Sequence, residues 1–130
     1  MNETLWDIPV PATGLVRGPH FKQLPKRQCE ISLSIEADDG SEKWLSLLFG
    51  GVEVYKCTYL SSLTADMIEA AYGKLVSIKN SALLAEVNSR YREYCGTRAR
   101  QPENLRHLMI CFDDGPCYEF ICCGFTPPTT

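Results

Sequence analysis

The sequence predicts an α+β fold: an antiparallel sheet of about five strands, in the order β-β-β-α-α-β-β, with two helices packed on one face. Three observations predict it. Residues 29–36 alternate apolar and polar without a fault, the apolar period changes from two to helical spacing after residue 64, and strand character returns near residue 105.

Residues 1–27 come first, with Pro9, Pro11, Pro19 and Pro25 among Gly14 and Gly18. Proline fixes φ and removes an N–H donor, so neither a helix nor a central strand is expected. Trp6, Ile8, Val10, Leu15 and Val16 are apolar enough to anchor this stretch. The expectation is an ordered but irregular arm with room for one short edge strand. Residues 28–125 then form a single domain, and residues 126–130 a frayed tail.

In residues 29–36, Cys29, Ile31, Leu33 and Ile35 alternate with Glu30, Ser32, Ser34 and Glu36, which reads as a half-buried strand. Asp38-Asp39-Gly40 supplies the turn. Residues 43–49 are more continuously apolar and read as a buried strand. Gly50-Gly51 marks a second turn or a bulge, and residues 52–57 alternate again. Three strands with short links predict an antiparallel meander.

From Thr64 onward, Met67, Ile68, Ala71, Tyr72, Leu75, Val76 and Ile78 fall on one helical stripe, capped by Thr64 or Ser62. Gly73 is either a point of close packing or a break in that helix. Asn80-Ser81 caps a second helix whose stripe is Leu84, Val87, Tyr91 and Tyr94, with Glu86 and Arg90 in the favourable i,i+4 order. Gly96 ends it, and residues 97–104 form a polar loop. A closing hairpin turns at Asp114-Gly115-Pro116. Its register sets Phe112 against Tyr118, Ile110 against Phe120 and Leu108 against Cys122, which leaves one wholly apolar face.

The chain of 130 residues carries 13 Lys+Arg and 16 Asp+Glu, a net charge of −3, with ordinary hydrophobic content. Low-complexity disorder is thereby excluded. Apolar runs are too short to span a membrane, and the N-terminus lacks the basic and apolar regions of a secretory signal. Seven cysteines, an odd count, then predict free thiols in a reducing cytoplasm. Adjacent Cys122 and Cys123 point to opposite faces of a strand, and no CxxC pair is present, so no metal and no cofactor is expected.

Two constellations compete for function. The predicted register sets His107 opposite Cys123, and a thiol beside an imidazole is the arrangement of a small thiol-dependent enzyme. Charge distribution points elsewhere. Residues 28–69 hold eight acids against Lys43 and Lys56, whereas residues 70–112 hold seven bases against three acids. Such polarity steers a charged partner and orients it. Asp38, Asp39, Glu42 and Glu53 are the expected partner-binding residues, and the partner is another protein. The arginines at 90, 92, 98, 100 and 106 are interrupted by Glu86, Glu93 and Glu103, so nucleic acid is not the expected partner. Self-association through an uncovered apolar sheet face is a third expectation.

The stretch from His107 to Asp114, HLMICFDD, followed by Cys117-Tyr118-Glu119-Phe120-Ile121, resembles the end of small bacterial α+β proteins, among them immunity proteins of interbacterial toxin systems. The resemblance covers about the last quarter of the chain. It implies a cytoplasmic antidote that binds one toxin domain, blocks its active site and performs no catalysis. A basic toxin domain would meet the acidic region 28–69. These families share no recognition motif, so no binding residue carries over.

Overall fold

In a computed structural model of the chain, residues 2–95, 105–113 and 115–128 are described. The elements are β1 (Glu3–Asp7), β2 (Arg17–Leu24), β3 (Gln28–Glu36), β4 (Glu42–Gly50), β5 (Val54–Thr58), α1 (Ala65–Ala71), β6 (Lys74–Ser77), α2 (Ala82–Cys95), β7 (Arg106–Cys111), β8 (Cys117–Cys122) and β9 (Gly124–Thr126). The class is α+β, but the strands divide between two antiparallel sheets. One has the order β1-β6-β7-β8-β5 and the other β2-β3-β4-β9. Their inner faces share one core.

That core explains the strands. Ile31, Leu33, Leu47 and Phe49 from the smaller sheet meet Leu75, Leu108, Ile110 and Phe120 from the larger, all with no accessible surface. Each such side chain contributes about 1.5–3 kcal/mol through burial. Phe49 and Phe120 stack across the two sheets with ring centroids 4.0 Å apart. The helices cover only the outer face of the larger sheet. There α1 packs with Val76, Met109, Cys111 and Cys117, and α2 with Val54, Leu105 and Ile121.

Four expectations are corrected. First, the segment 1–27 is not irregular: β1 pairs with β6, and β2 with β3. Both are edge strands, where proline is tolerated. Second, the meander breaks at Gly51, whose φ is +62°. The chain leaves the smaller sheet there, and β5 pairs with β8 instead of β4. Third, the helical stripe stops at Ala71. Gly73, at φ +70°, turns the chain into β6, where Leu75 and Val76 are buried on opposite faces, as neighbours in a strand must be.

The fourth correction concerns the closing hairpin. Its observed register sets Leu108 against Phe120 and Ile110 against Tyr118, two residues away from the expected pairing. Pro116 accepts from the Phe112 N–H at 3.3 Å, while the Phe112 carbonyl takes the Gly115 N–H because proline has none to give. The turn therefore closes one residue earlier, and every pairing moves by two. Face assignment survives the shift, since side chains alternate with period two.

Several local expectations stand. Thr64 caps α1 through its side chain to the Met67 N–H, Ser81 caps α2 through the Leu84 N–H at 3.0 Å, and Glu86 pairs with Arg90. Gly96 and the polar loop 97–104 lie outside the described residues, as do Thr129 and Thr130 of the expected tail. Thr126 belongs to β9, which stops where Pro127 and Pro128 offer no N–H to β4.

Candidate functional site

Among the described residues, no helix packs on the outer face of the smaller sheet. Alternation in β3 sends Ile31, Leu33 and Ile35 inward and leaves Glu30, Ser32, Ser34 and Glu36 on the other side. In β4, Leu45, Leu47 and Phe49 face the core, so Glu42, Trp44, Ser46 and Leu48 face out. Ser32 lies between His20 of β2 and Ser46 of β4. Trp44 is 47% exposed, and its ring stacks on that of His20 with centroids 6.0 Å apart. A tryptophan half in water on a sheet surface forfeits apolar burial that a partner would restore.

The β3–β4 turn adjoins this face. Ala37 donates to the Ser41 carbonyl and Gly40 to that of Ala37, a tight turn that projects Asp38 and Asp39. Hydrogen bonds from the Ser41 hydroxyl, at 2.5 Å, and amide, at 3.0 Å, hold Asp39 below the usual carboxylate range. Glu42 stands directly opposite Glu36, a like-charge pair relieved by Arg17 Nε and the Ser34 hydroxyl, each 3.0 Å from Glu42 Oε2. Three of the four expected binding residues, Asp38, Asp39 and Glu42, are thus brought together, and Glu36 joins them.

Glu53 does not join them. It follows Gly51, beyond the far end of β4, about 26 Å from Glu42 at about 3.3 Å per strand residue. Arg27 Nη1 pairs with it at 2.8 Å. The acidic stretch of sequence is therefore two separate places in space.

The observed hairpin register also separates the thiol–imidazole pair. His107 stands opposite Ile121, and Glu119, on the diagonal, becomes its partner. Cys123 lies past the end of β8, exposed, where a Cβ on Gly51 would stand 2.8 Å from its Sγ. His107 and Glu119, 7% and 5% exposed, instead form a buried relay between sheet and helix. Nε2 meets Glu119 Oε1 at 3.0 Å, and Nδ1 meets Ser81 Oγ at 2.6 Å.

In Glu119, the hydrogen bond from His107 lowers the pKa, with the charges of Lys56 and His107 helping, against the opposing effect of burial. Its Oε2 has no hydrogen-bond partner, and Lys56 Nζ is 3.9 Å away. A hydroxyl, an imidazole and a carboxylate in series form the order of a hydrolytic triad. Here, however, Ser81 Oγ is committed to the α2 cap, and the two partners are sealed between layers. The arrangement braces α2 on the sheet.

Sequence reasoning missed Trp44, His20 and Glu119. Reading residues 43–49 as a buried strand hid the outward position of Trp44, although the alternation of Leu45, Leu47 and Phe49 marks it. A hollow of about 510 Å³ opens between Arg27, Glu53, Arg90 and Tyr94, away from both the relay and Trp44. Among the described residues no three His, Cys, Asp or Glu side chains gather as a metal site, and no helix is long and apolar enough to cross a membrane. No protein-family model, curated protein or solved structure matches the chain.

Proposed function

We propose that the chain is a non-catalytic protein-binding module, an inhibitor of the immunity type that acts in the cytoplasm. It docks the outer face of the smaller sheet and the adjoining acidic turn against a basic domain of its partner. The observation that carries this reading is Trp44, 47% exposed on an uncovered face beside four carboxylates. Tryptophan is among the residues most enriched at binding hot spots, and clustered acids speed encounter with a basic surface. The six described cysteines are free thiols, which suits a reducing compartment.

The test takes the basic protein that co-purifies with the full chain and measures association and dissociation against it. Trp44→Ala is expected to weaken affinity by about thirtyfold, the equivalent of about 2 kcal/mol, chiefly through faster dissociation. Reversing Asp38 and Asp39 to Lys is expected to slow association at low salt, with the difference fading as salt rises. Both variants matching the parent chain would sink the proposal. So would a homodimer that buries Trp44 in the free protein.

A further inference from the structure

The hairpin between β7 and β8 ends on two cysteines directly opposite each other, Cys111 and Cys117. Main-chain hydrogen bonds fix the kind of pair they make. The Cys111 carbonyl accepts from Gly73 N at 2.9 Å, away from β8, and the Phe112 N–H bonds Pro116 one step nearer the turn. Pair types alternate along an antiparallel ladder, so Cys111 and Cys117 form a non-hydrogen-bonded pair, whose Cα atoms lie about 4.5 Å apart. That separation falls within the window of about 4.4–6.8 Å that a disulfide requires. Both thiols point to the helix side, and the Cys111 S–H reaches the Met67 carbonyl of α1 at 3.7 Å.

We propose that Cys111 and Cys117 are a redox modification site, closing a reversible cross-strand disulfide by exchange with a small-molecule disulfide such as oxidised glutathione. The Cys111 thiolate attacks one sulfur of that disulfide, forming a mixed disulfide and expelling a first glutathione thiolate. Cys117, giving up its proton, then attacks Cys111 Sγ and expels a second. Two protein thiols are oxidised, one small disulfide is reduced to two thiols, and the two protons released protonate them.

The two thiols are not equivalent. A hydrogen bond from the Cys117 thiol lowers the Cys111 pKa, while the same contact and burial push Cys117 upward. Burial of the other core thiol on this hairpin, Cys122, raises it to about 12, so it does not compete as a nucleophile. Access is controlled by α1, only seven residues long, which covers the pair with Met67, Ala70 and Ala71. A helix that short has little stability of its own, and the exchange requires it to open locally. The site lies on the opposite sheet from Trp44 and does not depend on the docking reading.

The experiment equilibrates the full chain with oxidised and reduced glutathione and follows it by intact mass and peptide mapping. Cys57 and Cys123, the exposed thiols among the described cysteines, are replaced by Ser together with Cys95, so that Cys29, Cys111, Cys117 and Cys122 report. Trypsin leaves residues 107–130 in one peptide, so cleavage after Phe112 is needed to expose a bridge. The expected product has lost two hydrogens, carries a Cys111–Cys117 bond, and reverts with reduced glutathione. Cys111→Ser and Cys117→Ser each abolish it. Persistence of both thiols while wild-type Cys57 or Cys123 becomes glutathionylated would overturn the proposal. A bridge mapping to any other pair would do the same.

Discussion

His107 and Glu119 show how much one buried contact controls. Each is nearly sealed from water, and each depends on the other to satisfy a polar atom that water no longer reaches. Replacing His107 with Ala strips Glu119 Oε1 of its partner and leaves a buried carboxylate with both oxygens short of hydrogen bonds. The expected loss is about 3–5 kcal/mol in urea unfolding at neutral pH. The pH dependence follows from the direction of the Glu119 shift. A carboxyl whose pKa is lower folded than unfolded adds stability above its unfolded value, 4.5, and that contribution is lost as pH falls through the folded value. Denaturation midpoints measured down the acid limb should therefore fall less steeply for Glu119→Gln than for the parent chain. At this scale the sequence was half legible. Ser81 could be read as a cap from its place before Leu84 and Val87, but the partner of His107 could not, because alternation determines a face and leaves the choice of partner to the turn.

At the scale of elements, two glycines reroute the chain. Gly51 ends the smaller sheet's hairpin, and Gly73 converts what begins as a helix into the strand β6 between β1 and β7. An Ala at 73 would have to hold φ near +70° with its Cβ 3.3 Å from that of Ala12. The expected cost of Gly73→Ala is about 1–2 kcal/mol, and Gly73→Asn, which enters the left-handed region more easily, should lose less; equilibrium unfolding of the pair checks this. The helical spacing of Met67, Ile68 and Ala71 runs on into Leu75 and Val76 by coincidence of period, which is why the stripe misled. Burial of both Leu75 and Val76 on a two-sided central strand demands adjacent apolar residues, a pattern that a short helix also produces. By contrast β3 was read within one residue, since a strand with a single buried face alternates and no helix does.

For the whole molecule, the decisive feature is asymmetry. Helices cover one sheet, and the other presents Trp44, His20 and an acidic turn to solvent. The α+β class was legible from the change of period along the chain. Two sheets in place of one were not, because the prolines of the first 27 residues disguised β1 and β2, and edge strands tolerate what central strands forbid. The first 27 residues hold parts of the common core: Ile8 is buried in it, and Trp6, Leu15 and Phe21 pack against it. A chain beginning at residue 28 should consequently lose cooperative thermal unfolding, whereas an independent domain would keep it.

The proposal that the uncovered face is the working surface is tested most directly by hydrogen exchange of the full chain, free and saturated with its co-purified basic partner. Slowed exchange is expected in the β3–β4 turn and along β2 and β4, with α1 and α2 unchanged. Protection confined to the helices, with residues 36–46 exchanging as in the free chain, would contradict it.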